Sequence, residues 1–147
     1  MTWNLHPLFP NPLAQSRINP EICDILTEML QEFDFSEDED GLSAVTVNKH
    51  VLNNKTSVLD YFTRKVRQAI CEIGYYCDVQ ITTSWFTATL SGGSADEHAH
   101  CNSWFSGVVY FDEYDTDSAP IQFVNPPEGV YVLPSTCLLY TSDADDE

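Results

Sequence analysis

Hydrophobic residues recur at helical spacing up to Gly74 and at strand spacing after Tyr75, so the chain must place helices first and sheet second. Before the switch, Ile22, Ile25, Leu26, Met29, Leu30 and Phe33 follow three- and four-residue steps, with Glu28, Gln31 and Glu32 off their stripe. Asn19 reads as the N-cap of this helix, Pro20 as its first position and Glu21 as a carboxylate on its positive end. A second helix is predicted from Thr56 or Ser57 to Ile73. Leu59, Phe62, Val66, Ile70 and Ile73 share a face there, Arg64, Lys65, Arg67 and Gln68 avoid it, and Gly74 is the stop. After the switch, residues 79–90, 105–111, 121–124 and 130–133 are rich in β-branched and aromatic side chains and are separated by Gly-, Asp- and Pro-bearing breaks. The expected class is α+β, two helices packed on a β-sandwich or small barrel.

The opening segment carries Pro7, Pro10, Pro12 and Pro20, and is expected to cross the surface with Leu8, Phe9 and Leu13 as anchors. Residues 36–41 form an acidic break that reads as a solvated loop. With 23 acidic residues against 6 Lys and Arg the net charge is −17, which repels phosphate backbones and anionic membrane surfaces and argues against nucleic acid as a partner. No apolar stretch approaches a membrane span and the N-terminus lacks a signal pattern, so a cytoplasmic protein is expected. Cys23, Cys71, Cys77, Cys101 and Cys137 are odd in number, irregularly spaced and without a CxxC pair, which reads as buried free thiols.

Chemistry concentrates in residues 91–103. In an extended strand, residues two apart project to one face, so His98 and His100 can offer two imidazoles to one metal ion. Imidazole suits iron, zinc, copper and nickel, and a third ligand would complete a face with open positions. The bland alternative is two surface histidines at a strand end. Trp85 and Phe86 could wall the same pocket or belong to the core, and Ser84, Thr87 and Thr89 form a polar row beside them. His6 and His50 lie among loop signals with no partner at ligand spacing.

The run His98-Ala99-His100-Cys101-Asn102-Ser103-Trp104-Phe105-Ser106-Gly107-Val108-Val109-Tyr110 resembles the HxH-x-x-S-x-x-SGVYY-like signature of a family of 2-oxoglutarate- and Fe(II)-dependent oxygenases found among bacterial and phage sequences. Leu8-Phe9-Pro10-Asn11-Pro12-Leu13 is similar to the family's opening segment, and Ser84-Trp85 to its "sW" strand. Ile121-Gln122-Phe123-Val124-Asn125-Pro126 and Gly129-Val130-Tyr131-Val132-Leu133-Pro134-Ser135 resemble its later strands. The resemblance implies a double-stranded β-helix, a jelly-roll or cupin-like sandwich with the two N-terminal helices on its sheet. It further implies Fe(II) on His98 and His100, 2-oxoglutarate as cosubstrate, and hydroxylation of a small-molecule or peptide substrate with release of succinate and carbon dioxide. Asn102, Ser103 and Tyr110 become candidates for hydrogen bonds to the cosubstrate or to the ligands.

The match departs from the family in two places. His100 stands where related oxygenases more often carry the Asp of HxD, which leaves the site more positive. The distal histidine and the basic residue that clamps 2-oxoglutarate are expected after Ser135, yet no His or Arg follows His100. Residues 137–147 resemble the translation of a sequencing-library adapter, CLLYTSDAADE, and differ only at Asp145. The expected organisation is therefore a single oxygenase-like domain over residues 1–136, incomplete at its C-terminus and without turnover, followed by a non-native tail. Two rival readings compete. Gly92, five intervening residues and then His98-Ala99-His100 fit half of the cupin metal-binding pattern, and a phage structural or interaction protein could use the same sandwich without metal.

Overall fold

A computed structural model describes residues 4–8, 11–100, 103–111, 121–125, 129–133 and 138–143, with side chains over 12–100, 103–111 and 121–123. The chain is α+β, with two helices and antiparallel sheets. In chain order the elements are β1 (Asn4–Leu8), β2 (Asn11–Arg17), α1 (Pro20–Leu30), β3 (Phe35–Glu37), β4 (Ser43–Thr46), a 3₁₀ turn (Val51–Asn54), α2 (Thr56–Glu72), β5 (Thr87–Thr89), β6 (Phe105–Val109), β7 (Ile121–Asn125), β8 (Gly129–Leu133) and β9 (Leu138–Asp143). They form a four-stranded sheet in the order β1-β2-β9-β6, a three-stranded sheet β3-β4-β5 and a hairpin β7-β8. Among the described residues every ladder is antiparallel, and one isolated bridge, His50 with Ser84, is parallel. Among the described residues no sheet closes into a barrel. The chain divides into two compact units, one of Met1–Cys23 with His98–Glu147 and one of Asp24–Glu97.

The first unit holds the four-stranded sheet. Its N-terminal segment is a hairpin and not the broken surface crossing that four prolines suggested. Pro7 lies opposite Pro12 in the β1–β2 register, so the two residues without an N–H face each other. β1 is an edge strand, and Pro12 sits just before the Leu13↔Ser142 pair that starts the β9 ladder, so neither proline removes a bond from the sheet's interior. Leu13, Ala14 and Ile18 are buried. Phe9 and Pro10 lie outside the described residues. β9 pairs β2 on one side and β6 on the other, running Phe105↔Asp143 to Val109↔Leu139.

The second unit holds α2, most of α1 and the three-stranded sheet. The amides of Ile22 and Cys23 donate to the Asn19 carbonyl at 2.9 and 3.3 Å, which begins α1 at Pro20 as the sequence suggested. Leu26 and Met29 are buried. The helix ends at Leu30, three residues short of its apolar pattern, because the chain turns through residues 31–33 to feed β3, and Phe33 packs on Phe86 at 5.9 Å between ring centroids. The acidic run is the tip of the β3–β4 hairpin. The Asp38 amide donates to the Ser43 carbonyl at 2.8 Å, and Asp40 Oδ1 accepts from the Leu42 amide at 2.8 Å.

α2 spans Thr56–Glu72 and closes on Gly74 at φ +99°. The Tyr75 amide reaches the Ile70 carbonyl at 2.9 Å and the Gly74 amide reaches Cys71 at 3.1 Å, the paired bonds of a Schellman stop. Its buried stripe is Val58, Phe62, Lys65, Ala69 and Ile70, turned from the Leu59 and Val66 side on which the apolar count had centred it. Lys65 was expected to avoid this face. Only 6% of it is exposed: its stem follows the apolar stripe and its Nζ lies 5.6 Å from the Tyr61 ring centroid. Burial lowers the Lys65 ammonium pKa from the ordinary lysine value.

Residues 79–90 were expected to form one long strand, but only Thr87–Thr89 does. The preceding segment is tied instead to the loop before the 3₁₀ turn. The Ser84 amide donates to the Lys49 carbonyl at 2.9 Å, its carbonyl accepts from Val51 at 3.1 Å, and its hydroxyl accepts from the Leu52 amide at 3.1 Å. Ser84 thus satisfies a first-turn amide from outside the turn. Thr46, fully buried, donates its hydroxyl to the Asn48 carbonyl at 2.9 Å and accepts the Phe86 amide at 3.1 Å. Cys23 and Cys71 are half-buried free thiols, whereas Cys77 is exposed, contrary to the expectation of burial; Cys101 and Cys137 lie outside the described residues.

Candidate functional site

His98 and His100 precede β6 in the first unit. The segment that carries them is irregular, so strand alternation does not bring the rings together; β6 begins only at Phe105. After the pair, the Ser103 amide donates to the His100 carbonyl at 3.1 Å. The two imidazoles meet edge to face, with centroids 5.0 Å apart and planes at 87°. His98 is exposed and His100 half-buried.

That spacing can be tested against coordination chemistry. A metal-bound imidazole nitrogen lies about 2.0–2.1 Å from the ion, so two rings on one metal at tetrahedral or octahedral angles have centroids roughly 4.5–5.2 Å apart. The observed 5.0 Å falls inside this window. An ordinary edge-to-face ring contact has the same separation, and metal affinity is the property that divides the two. Desolvation lowers the His100 pKa from the ordinary value, and the charge of His98 lowers it further. Both effects favour the neutral ring, the form with a lone pair to give a metal.

Among the described residues no group of three or more His, Cys, Asp or Glu is disposed to hold a metal ion, so the pair has no third donor of these types there. Ser103 is half-buried and contributes through its backbone turn. Tyr110 is half-buried just past the end of β6. Asn102 lies outside the described residues. Trp104, next to the turn, is 74% exposed. The proposed walls belong to the other unit: Phe86 is in its core against Phe33, and Trp85 lies under Lys49 Nζ at 5.9 Å. Thr87 and Thr89 are exposed on β5, and Ser84 is engaged with the 3₁₀ turn.

A concavity lies in the second unit, at residues that the histidine spacing did not single out. It is an open groove of about 380 Å³ lined by His50, Asn53, Leu59, Asp60, Thr63 and residues 79–82. The sequence signal that could have pointed to it is weak: one loop histidine and an exposed carboxylate, Asp60, on α2.

Among the described residues no helix is long and apolar enough to cross a membrane. Compared with protein-family models, with curated proteins and with solved structures, the chain matches none.

Proposed function

We propose that this chain is a 2-oxoglutarate- and Fe(II)-dependent oxygenase domain of double-stranded β-helix type, with His98 and His100 as two of the iron's ligands. The observation that carries the reading is the near-perpendicular pair of imidazoles at 5.0 Å, a spacing two rings on one ion would have. The order of sequence segments around the pair supplies the reaction class, and the antiparallel pairing of every ladder is compatible with a jelly roll.

The donor set fits iron in part. Two neutral imidazoles suit Fe(II), and a third ligand must come from beyond the described residues. Iron with 2-oxoglutarate supplies oxidative decarboxylation coupled to hydroxylation of a C–H bond. The chain's own part is to hold His100 through the Ser103 turn and to keep its ring neutral by partial burial. Asn102, Ser103 and Tyr110 are proposed to hydrogen-bond the cosubstrate. Since no His or Arg follows His100, the 147-residue chain is expected to bind metal without releasing succinate.

Titration with Co(II), followed by its visible absorption, tests the ligands in the wild type and in His98→Ala and His100→Ala. Each substitution is expected to weaken binding by at least about 100-fold. Equal binding in all three proteins would remove both histidines from the proposal. Adding 2-oxoglutarate to the Co(II) protein then bears on the choice of metal reading: a spectrum changed by 2-oxoglutarate and not by succinate supports the oxygenase over a cupin-type metal protein.

A further inference from the structure

We propose that the groove of the second unit is a binding site for a small organic cation, a protonated alkylamine whose ammonium group meets Asp60 and His50 and whose carbon chain lies along Leu59, Val79 and Ile81. The site is independent of the histidine pair and lies wholly within Asp24–Glu97.

The polar lining of this groove presents acceptors. His50 Nδ1 lies 3.0 Å from the Thr82 carbonyl oxygen. A carbonyl can only accept, so Nδ1 carries the hydrogen, and in its neutral form a ring held this way has its lone pair on Nε2. The same bond fixes the ring's orientation, and the His50 backbone is fixed separately by its amide donating to Asn48 Oδ1 at 2.7 Å. Asp60 adds a carboxylate from α2, and no ion pair or hydrogen bond engages that side chain among the described residues. The side chains of Asn53 and Thr63 are likewise without a partner there. The groove thus brings together a carboxylate, an imidazole lone pair, an amide and a hydroxyl, all able to accept a hydrogen bond from an ammonium group.

Charge and shape select the same occupant. No Lys or Arg lines the groove, and the chain's net charge of −17 raises the local concentration of cations while repelling anions. Leu59, Val79 and Ile81 are half-buried, so part of each apolar surface remains for a ligand to cover. The volume of about 380 Å³ lies in the range of small-molecule sites.

The test uses the full chain and two probes that share a carbon chain and differ in charge, n-hexylammonium and hexanoate, followed by amide chemical shifts at constant ionic strength. Hexylammonium is expected to shift the amides of residues 50–53, 59–63 and 79–82, and hexanoate to leave them in place. Asp60→Asn should weaken hexylammonium binding by about tenfold or more, the loss expected for one charge-assisted hydrogen bond. Glu72→Gln, on the same helix but away from the groove, should leave it unchanged. Should Asp60→Asn perturb the fold, added salt on the wild type serves the same purpose, since binding to a carboxylate must weaken with ionic strength. The proposal is overturned by an absence of shifts at millimolar hexylammonium, by equal shifts with hexanoate, by equal affinity in Asp60→Asn, by an equal loss in Glu72→Gln, or by salt-independent affinity.

Discussion

His100 links burial to protonation, and the direction of its shift dictates how stability should respond to pH. Burial, and then the charge of His98, lower its pKa in the folded chain below the ordinary 6.5. An unfolded chain therefore takes up the proton first as pH falls. The contribution of His100 to stability is fully present above about 6.5 and is lost as pH drops through the lower folded value. Imidazole proton resonances should place the His100 midpoint below 6.5. In His98→Ala that midpoint should move up part of the way, because desolvation, the larger cause, remains. A midpoint at or above 6.5 in the wild type would contradict the partial burial. The pair itself was legible in the spacing of His98 and His100, but the means of bringing them together was not. Strand alternation was the expected cause, whereas the residues lie in an irregular segment, whose backbone path single-residue patterns do not encode.

α2 was the most readable element, predicted from Thr56 or Ser57 to Ile73 and found from Thr56 to Glu72, because periodicity, length and a terminal glycine all agree. At Gly74 a Cβ would meet nothing within 4 Å, so the cost of Gly74→Ala comes from φ +99° alone. About 1 kcal/mol of destabilisation is expected, read as a lowered denaturant midpoint with an unchanged slope. Gly93→Ala should cost more, since there a Cβ would sit 2.7 Å from the Leu42 carbonyl oxygen, and the reverse order of the two variants would count against both assignments. The short strands were much less readable. β3 runs into an acidic stretch and β4 is only four residues long, so charged residues at their hairpin tip look the same as a loop, and β1 and β2 hide among prolines because their tolerance depends on which strand is at the edge. Lys65 misled for another reason: a residue counted as polar can bury its aliphatic stem.

At the scale of the whole molecule, the α+β class was legible in the two periodicities, but the expected order of helices first and sheet second was not found, since β1 and β2 precede α1 and β3 and β4 precede α2; nor was the pairing of distant strands legible, since it depends on contacts between the two ends of the chain. β9 is the element on which the first unit turns, because β2 and β6 are joined only through it among the described residues. Deleting residues 137–147 should therefore release amide protection across residues 13–17 and 105–109 while residues 56–72 of the second unit keep theirs, as hydrogen exchange would record. Protection retained across 13–17 and 105–109 would mean that the sheet does not need this strand. The same residues resemble adapter-derived sequence, so reading the source DNA across codon 137 bears directly on whether β9 is native. A strand that follows its partner β2 by more than 100 residues and sits in the middle of the sheet also orders events on the ribosome. Residues 24–97 can assemble as soon as they emerge, but the open edge of the N-terminal hairpin is covered only once residues 138–142 are available, which leaves it exposed to chaperones or to mispairing while the intervening residues are made.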